Sequence, residues 1–246
     1  MFIYQILIEY DGSNFAGWQI QKNAKTIQGE IQKIIKKILK TKTVLHGSGR
    51  TDKGVHAIEQ SAHFKIDFEI IKKEKFLKSL NFFLNKKNIS ILSLMKRNSY
   101  FHARYSAKKR VYKYVIINRP ASLVLKKNHA WHVEKKLDIS LIVKGGKLLK
   151  GTKDFSTYRA ASCNAKSAIK TLENIKIKNN QNKIEIFFTS KSFLQQQVRS
   201  MVGCLKYLGE KKWTLNKFKE VMTAKRRAGC APPAPPSGLF LMKIKY

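Results

Sequence analysis

Apolar and polar positions alternate from the first residues. In "FIYQILIEY" (2–10), Ile3 and Leu7 fall on one side and Tyr4, Ile6 and Ile8 on the other, the pattern of a strand at least partly covered on both faces. The period then changes. After a loop, "DGSNFAGWQ", the residues Ile27, Ile31, Ile34, Ile35 and Ile38 make one helical stripe with lysines opposite, and Thr26 is placed to cap it. A strand is expected at "TVLH" (43–46), another at "QSAHFKI" (60–66) with Ala62, Phe64 and Ile66 at period two. A helix follows through "EKFLKSLNFFL" (74–84), then a strand "ISILSL" (89–94). The first hundred residues thus spell β-α-β-β-α-β, the ferredoxin-like unit.

The second half opens with a long strand, "RVYKYVIIN" (110–118), broken at Pro120, and a short one at "AWHVE" (130–134). Asp138 starts a helix over Ile139, Ile142, Val143, Leu148 and Leu149, a pattern weakened by Gly145 and Gly146. Strands "AIKTLENIKI" (168–177) and "KIEIFFTS" (183–190) precede the helix "SFLQQQVRSMVGCLKYL" (192–208), where Leu194, Val198, Met201, Val202 and Leu205 share a face. A basic helix from Thr214, an "APPAPP" stretch and a last strand "LFLMKIK" complete the pattern. The order resembles the first unit with additions, so two α+β halves are expected, residues 1–104 and 105–246.

Charge narrows the partners. Fifty lysines and arginines against fifteen acids leave +35 on 246 residues, a field that draws in RNA, DNA or an anionic membrane surface. Part of this excess is compositional, since the chain is also rich in Ile and Asn, as AT-biased coding makes it. The nine arginines therefore carry more information than the lysines, because their forks match phosphate and carboxylate. Cys163, Cys204 and Cys230 are an odd number with no CxxC pair, which reads as a reduced compartment, not a disulfide frame. No run is long enough for a membrane span, and the N-terminus lacks the basic-then-apolar build of a signal peptide. The acids are too few and scattered for a two-metal nuclease, and "HAWH" (129–132) lacks an acid or cysteine partner nearby.

The stretch with the densest chemistry is "HGSGRTDKGVHA" (46–57), where three glycines and several cationic side chains surround Asp52. A phosphate-cradling loop would feed a helix and end in Gly-Lys-Ser/Thr, which "GSGR" does not. Two readings stay open on the residues alone: a turn closed by an Asp side chain, and a carboxylate nucleophile kept ionised by nearby cations.

"GRTDKGVHA" resembles the signature of the tRNA pseudouridine synthases of the TruA family. So do "DGSNFAGWQIQ" (11–21), "TIQGEIQ" (26–32), "FHARYSAKKRVYKYVI" (101–116), "DFSTYRA" (154–160), "FLQQQVRSMVG" (193–203) and "APPAPPSGLFL" (231–241), in the family's order and over nearly the whole chain. The resemblance implies a cytoplasmic isomerase that uses no cofactor and no metal. It would detach uracil from ribose in tRNA and rejoin it through C5, at positions 38, 39 and 40 of the anticodon arm. It implies two ferredoxin-like halves with joined, mainly antiparallel sheets flanked by helices, an active-site cleft between them, and a homodimer with tRNA as partner and no membrane. The family's essential aspartate falls on Asp52, and three routes for it stay open: attack at C1′, attack at C6, or an acylal-like intermediate by way of a glycal. Arg199 falls on the basic partner of that acid and Tyr112 on the tyrosine that packs against the target base, although alternation alone would leave Tyr112 an ordinary strand aromatic. Arg50 falls on the arginine that helps hold the displaced nucleotide, and Lys53 adds a cation where the family often has a small residue. His56 reads as a packing or hydrogen-bonding residue. A non-catalytic basic RNA-binding relative is the alternative, which the joint presence of Asp52, Tyr112 and Arg199 argues against. The chain departs from the family at Gln195, Gln196 and Gln197, and in the length of "APPAPPSG".

Overall fold

The computed structural model describes all of residues 1–246. In chain order the elements are β1 (Phe2–Tyr10), α1 (Ile27–Leu39), β2 (His46–Gly47), β3 (His56–Ile66), α2 (Lys73–Leu84), β4 (Ile89–Arg97) and β5 (Lys109–Asn118). There follow β6 (Trp131–Val133), α3 (Ile139–Leu149), β7 (Gly151–Asp154), β8 (Ile169–Asn180), β9 (Lys183–Ser190), α4 (Gln197–Gly209), α5 (Leu215–Thr223) and β10 (Leu239–Lys245). Two compact units contain them: Met1–Lys108 with Phe240–Tyr246, and Lys109–Leu239. Each is a mostly antiparallel sheet flanked by helices, the α+β class expected from the pattern.

In the first unit β1 lies between β4 and β3, antiparallel to both, and β3 takes β2 antiparallel and the end of the chain, β10, parallel. Alternation sorts the side chains of this sheet. Tyr4 stacks on Phe64, which meets Phe76 of α2, so this parity of β1 and β3 is the helix-covered face. The opposite parity carries Ile3, packed with Phe101, Ala103 and Tyr246. Helix α1 starts where its cap dictates: the Thr26 hydroxyl accepts from Gly29 N–H, and Ile27, Ile31, Ile34 and Ile35 are buried beneath it. The strand expected at "TVLH" shrinks to His46–Gly47. The reason lies in α1: Leu45 is buried, but its N–H donates to Gln32 Oε1 and its carbonyl accepts from Gln28 Nε2, so helix side chains do what a strand partner would.

In the second unit the order is β5-β9-β8-β7, with β6 parallel to the far end of β5. Asp138 caps α3 through Leu141 N–H, and the two glycines that weakened the sequence pattern are packing positions. A Cβ on Gly145 would come within 2.5 Å of Leu208 on α4, and one on Gly146 within 3.0 Å of Ile177 on β8. Helix α4 begins at Gln197, five residues after the expected start at Ser192. Gln196 turns left-handed at φ 60°, the Gln195 carbonyl accepts from Ala160 N–H, and Gln197 Oε1 accepts from Leu194 N–H, so residues 193–196 are bound as a loop. Strand β7, three half-buried residues and exposed Thr152, carries no pattern that announced it.

Candidate active site

The loop between β2 and β3 carries Asp52, and main-chain hydrogen bonds fix it at four points. Ser48 N–H donates to Ser61 O (2.7 Å), Trp18 N–H to Thr51 O (3.1 Å), Gly54 N–H to Phe15 O (3.3 Å) and Val55 N–H to Asp52 O (3.2 Å). The last of these closes a turn over Lys53 and Gly54, where Gly54 at φ 78° supplies the conformation an L side chain resists. The turn is therefore closed by the Asp52 carbonyl, which accepts from Val55 N–H.

A second loop clasps the first. A Cβ on Gly12 would sit 2.0 Å from Val55 O, and one on Gly17 (φ 105°) would sit 2.7 Å from Thr51 O, so the chain at 12–18 approaches the Asp52 loop as only glycine allows. Thr51 is buried and shares a 2.8 Å hydrogen bond with Tyr10 OH. His56, buried at the start of β3, accepts from Gly12 N–H at Nδ1 (3.1 Å) and stacks on Phe240 at 4.8 Å. Within this frame Asp52 is half-buried, while Arg50 and Lys53 are exposed; Arg50 Nε donates to Gln19 Oε1 at 3.1 Å. Gln19, Thr51 and the glycines of 12–17 are thus part of how the site is built, although the sequence marked them only as members of a block.

The second unit holds the other two candidates. Tyr112 lies on β5 opposite Phe188, 8% exposed, with its ring edge-on to Phe193 at 5.2 Å. Arg199 lies in the first turn of α4 and is half-buried. The segment "APPAPP" packs on this helix: Arg199 Nε donates to Ala234 O (2.7 Å), Ala234 N–H donates back to Arg199 O (3.0 Å), and a Cβ on Gly203 would sit 2.1 Å from Pro232 O. Further along, Tyr114 OH donates to Pro235 O (2.7 Å). Burial pushes the Tyr114 phenol well above its usual range, with the Arg199 charge opposing in part. Asp52, Arg50 and Lys53 therefore share one loop of the first unit, and Tyr112 and Arg199 both belong to the second.

A half-buried carboxylate on a rigid, glycine-clasped loop is the arrangement a nucleophile or a positioned base requires. A family model described as tRNA pseudouridine synthase matches residues 6–106 and 146–246. That covers Arg50, Asp52, Lys53 and Arg199, while Tyr112 falls in the interval between the two stretches. Over 246 residues, all of both chains, the sequence is 61% identical to tRNA pseudouridine synthase A of Pelagibacter ubique. It is 40% identical to the proteins of the same name from Parvibaculum lavamentivorans (99% of this chain, 98% of the relative) and Ehrlichia canis (99% of each). The chain belongs to the tRNA pseudouridine synthase family, a family of isomerases that convert uridine to pseudouridine.

Proposed function

We propose that this chain isomerises uridine to pseudouridine at positions 38, 39 and 40 of the tRNA anticodon arm, with Asp52 as nucleophile. The reaction breaks the N1–C1′ bond, turns the uracil and forms C5–C1′; N1 gains the proton balance that C5 gives up, so no oxidant, reductant or second substrate enters. Asp52 attacks C1′ or C6, or passes through a glycal to an acylal-like adduct. Every one of these routes needs an ionised carboxylate, which the Arg199 guanidinium favours as its cationic partner. Tyr112 packs against the target base, Arg50 holds the displaced nucleotide out of the stack, and Lys53 adds a cation beside the acid.

The observation that supports this reading is the clasped loop, which fixes the Asp52 backbone by main-chain hydrogen bonds between two closely approaching segments. The basic surface supports tRNA as partner: α1 alone presents Lys33, Lys36 and Lys37 on its exposed side. No helix of the chain is long and apolar enough to cross a membrane. We take the enzyme to act in the cytoplasm as a homodimer whose two subunits both touch the tRNA. The test incubates unmodified tRNA with purified protein and maps pseudouridine, strand breaks and binding together over a salt series. Pseudouridine at 38–40, with affinity falling at least about a hundredfold between about 50 and 200 mM salt, is expected. Binding without pseudouridine would leave a non-catalytic RNA-binding protein, and affinity indifferent to salt would remove the electrostatic basis of the reading.

A further inference from the structure

On the face of the first sheet away from α1 and α2, four aromatic rings lie in contact. His63 of β3 stacks on its β2 partner His46 (5.1 Å between centroids, 23°), and His102 meets both, at 4.6 and 5.6 Å. Tyr105 then lies against His102 at 4.3 Å. The pile runs from a fully buried ring outward: His63 is inaccessible, whereas Tyr105 is 75% exposed. The Arg104 guanidinium is 5.7 Å from the Tyr105 ring centroid.

This outer end is held in place by the turn that bears it. His102 N–H donates to Ser106 Oγ (3.0 Å), Ser106 N–H donates to His102 O (2.9 Å), and His102 Nδ1 accepts from Arg104 N–H (3.1 Å). One step inward, His63 Nδ1 accepts from Ala103 N–H (3.1 Å). Both imidazoles thus use Nδ1 as an acceptor, which the neutral tautomer provides. Burial first, then the neighbouring His102, His46 and Lys65, lowers His63 to about 4, and burial with His46, Lys65 and Arg104 lowers His102. His63 and His102 are thus held neutral at neutral pH, and the Arg104 guanidinium lies at the exposed end of the pile.

An aromatic pile ending in an exposed ring beside a guanidinium matches an unpaired nucleotide, whose base offers a flat π face and whose phosphate offers the charge. Placement agrees, since His46 lies six residues before Asp52 and leads directly into the loop that carries it. We propose that the turn 102–105 is a stacking platform: an unpaired base of the RNA substrate lies on Tyr105, and Arg104 meets the adjoining phosphate. The proposal rests on the reading of this chain as a tRNA-modifying enzyme and adds a binding contact outside the catalytic set.

The test uses the full-length protein and unmodified tRNA. Ultraviolet irradiation of the parent complex, followed by peptide mapping, should place a cross-link within residues 102–105. In filter binding, Tyr105→Ala should weaken tRNA affinity by about five- to a hundredfold, while Tyr105→Phe, which keeps the ring and loses only the hydroxyl, should bind like the parent. Tyr105 is so exposed that its truncation leaves the core untouched, and the cross-link needs no variant at all. Equal affinities for Tyr105→Ala and parent, or cross-links confined to other segments, would overturn the platform. The two readings fail separately: a parent protein that cross-links here yet forms no pseudouridine keeps the platform and loses the reaction, and the converse keeps the reaction alone.

Discussion

The Asp52 loop and the Arg199 turn are held in place by different means. Around Asp52 the fixing contacts are main chain to main chain, from Trp18, Gly54 and Val55 N–H groups, with Gly12 and Gly17 allowing the approach. At Arg199 the candidate side chain is itself a fixing contact, because its Nε donates to the Ala234 carbonyl and so ties the proline-rich segment to α4. We therefore expect chemistry and structure to be separable at the first position and joined at the second.

The largest effect is expected where they separate. Asp52→Asn keeps the shape and the main-chain turn but removes the charge proposed as the nucleophile, so pseudouridine formation should fall by at least about a thousandfold. The melting temperature and tRNA affinity should stay close to the parent's. Arg199→Ala should lose activity and stability together, since a charged donor to a part-buried carbonyl contributes about 1.5–3 kcal/mol. Arg199→Lys, which keeps the charge without the fork, should restore little of either. Arg50→Ala should sit between, slowing single-turnover conversion with enzyme saturating while leaving the fold intact. Single-turnover assays with thermal melts decide the matter. If Asp52→Asn reacted at near the parent rate, the acid would be a turn residue and the contrast would collapse.

A smaller pair of changes tests the frames themselves. Gly12→Ala places a methyl 2.0 Å from Val55 O, and Gly203→Ala places one 2.1 Å from Pro232 O; both neighbours are main chain and cannot swing aside. Each should cost about 1–3 kcal/mol in urea unfolding. Their consequences should differ: Gly12→Ala displaces the Asp52 loop directly and should slow the chemical step, whereas Gly203→Ala acts on the segment that Arg199 holds. Equal loss of activity in both would mean that the loop gains nothing special from its clasp.

Much of this was legible in the chain. Thr26, Asp138 and Thr214 cap α1, α3 and α5 where the pattern placed them, because a cap hydroxyl or carboxylate beside a periodic stripe is a local signal. What failed was non-local. "TVLH" looks like a strand, yet Leu45 takes its partners from Gln28 and Gln32 on a helix. "SFLQQQ" continues an apolar stripe, yet its backbone is claimed by Ala160 and by Gln197's own side chain. The candidate site divides in the same way. Asp52 stands out in a dense motif, but that Gly12 and Gly17 exist to let one loop clasp another cannot be seen until the two are side by side. Nothing in "FHARYSA" alone shows that His102 continues a pile begun by His46 and His63.

The smallest effect concerns pH, and it bears on the first unit through that same pile. His63 is held neutral, its pKa brought from the ordinary 6.5 to about 4, chiefly by burial. Between those values the unfolded chain carries a proton on this residue that the folded chain refuses. The unfolded state then binds more protons, so unfolding free energy rises with pH: stability from this group is complete above about 6.5 and is lost as pH falls towards 4. Over the full window the loss is on the order of 3 kcal/mol, of which about half is spent by pH 5.5. His102, also lowered, acts in the same direction. Carboxylates held low, such as Glu185 and Glu210, withdraw their stability only at more acid pH, around the ordinary carboxylate range and below. Urea unfolding at pH 7 and pH 5.5, followed by hydrogen exchange resolved along the chain, should therefore show protection falling in β1, β3 and the 101–107 turn before β5 and β9. His63→Asn, whose Oδ1 can still accept from Ala103 N–H, should flatten that slope while lowering stability at pH 7. If the two units lost protection in parallel, with parent and variant alike, the buried imidazole would not be what sets the first unit's response to acid.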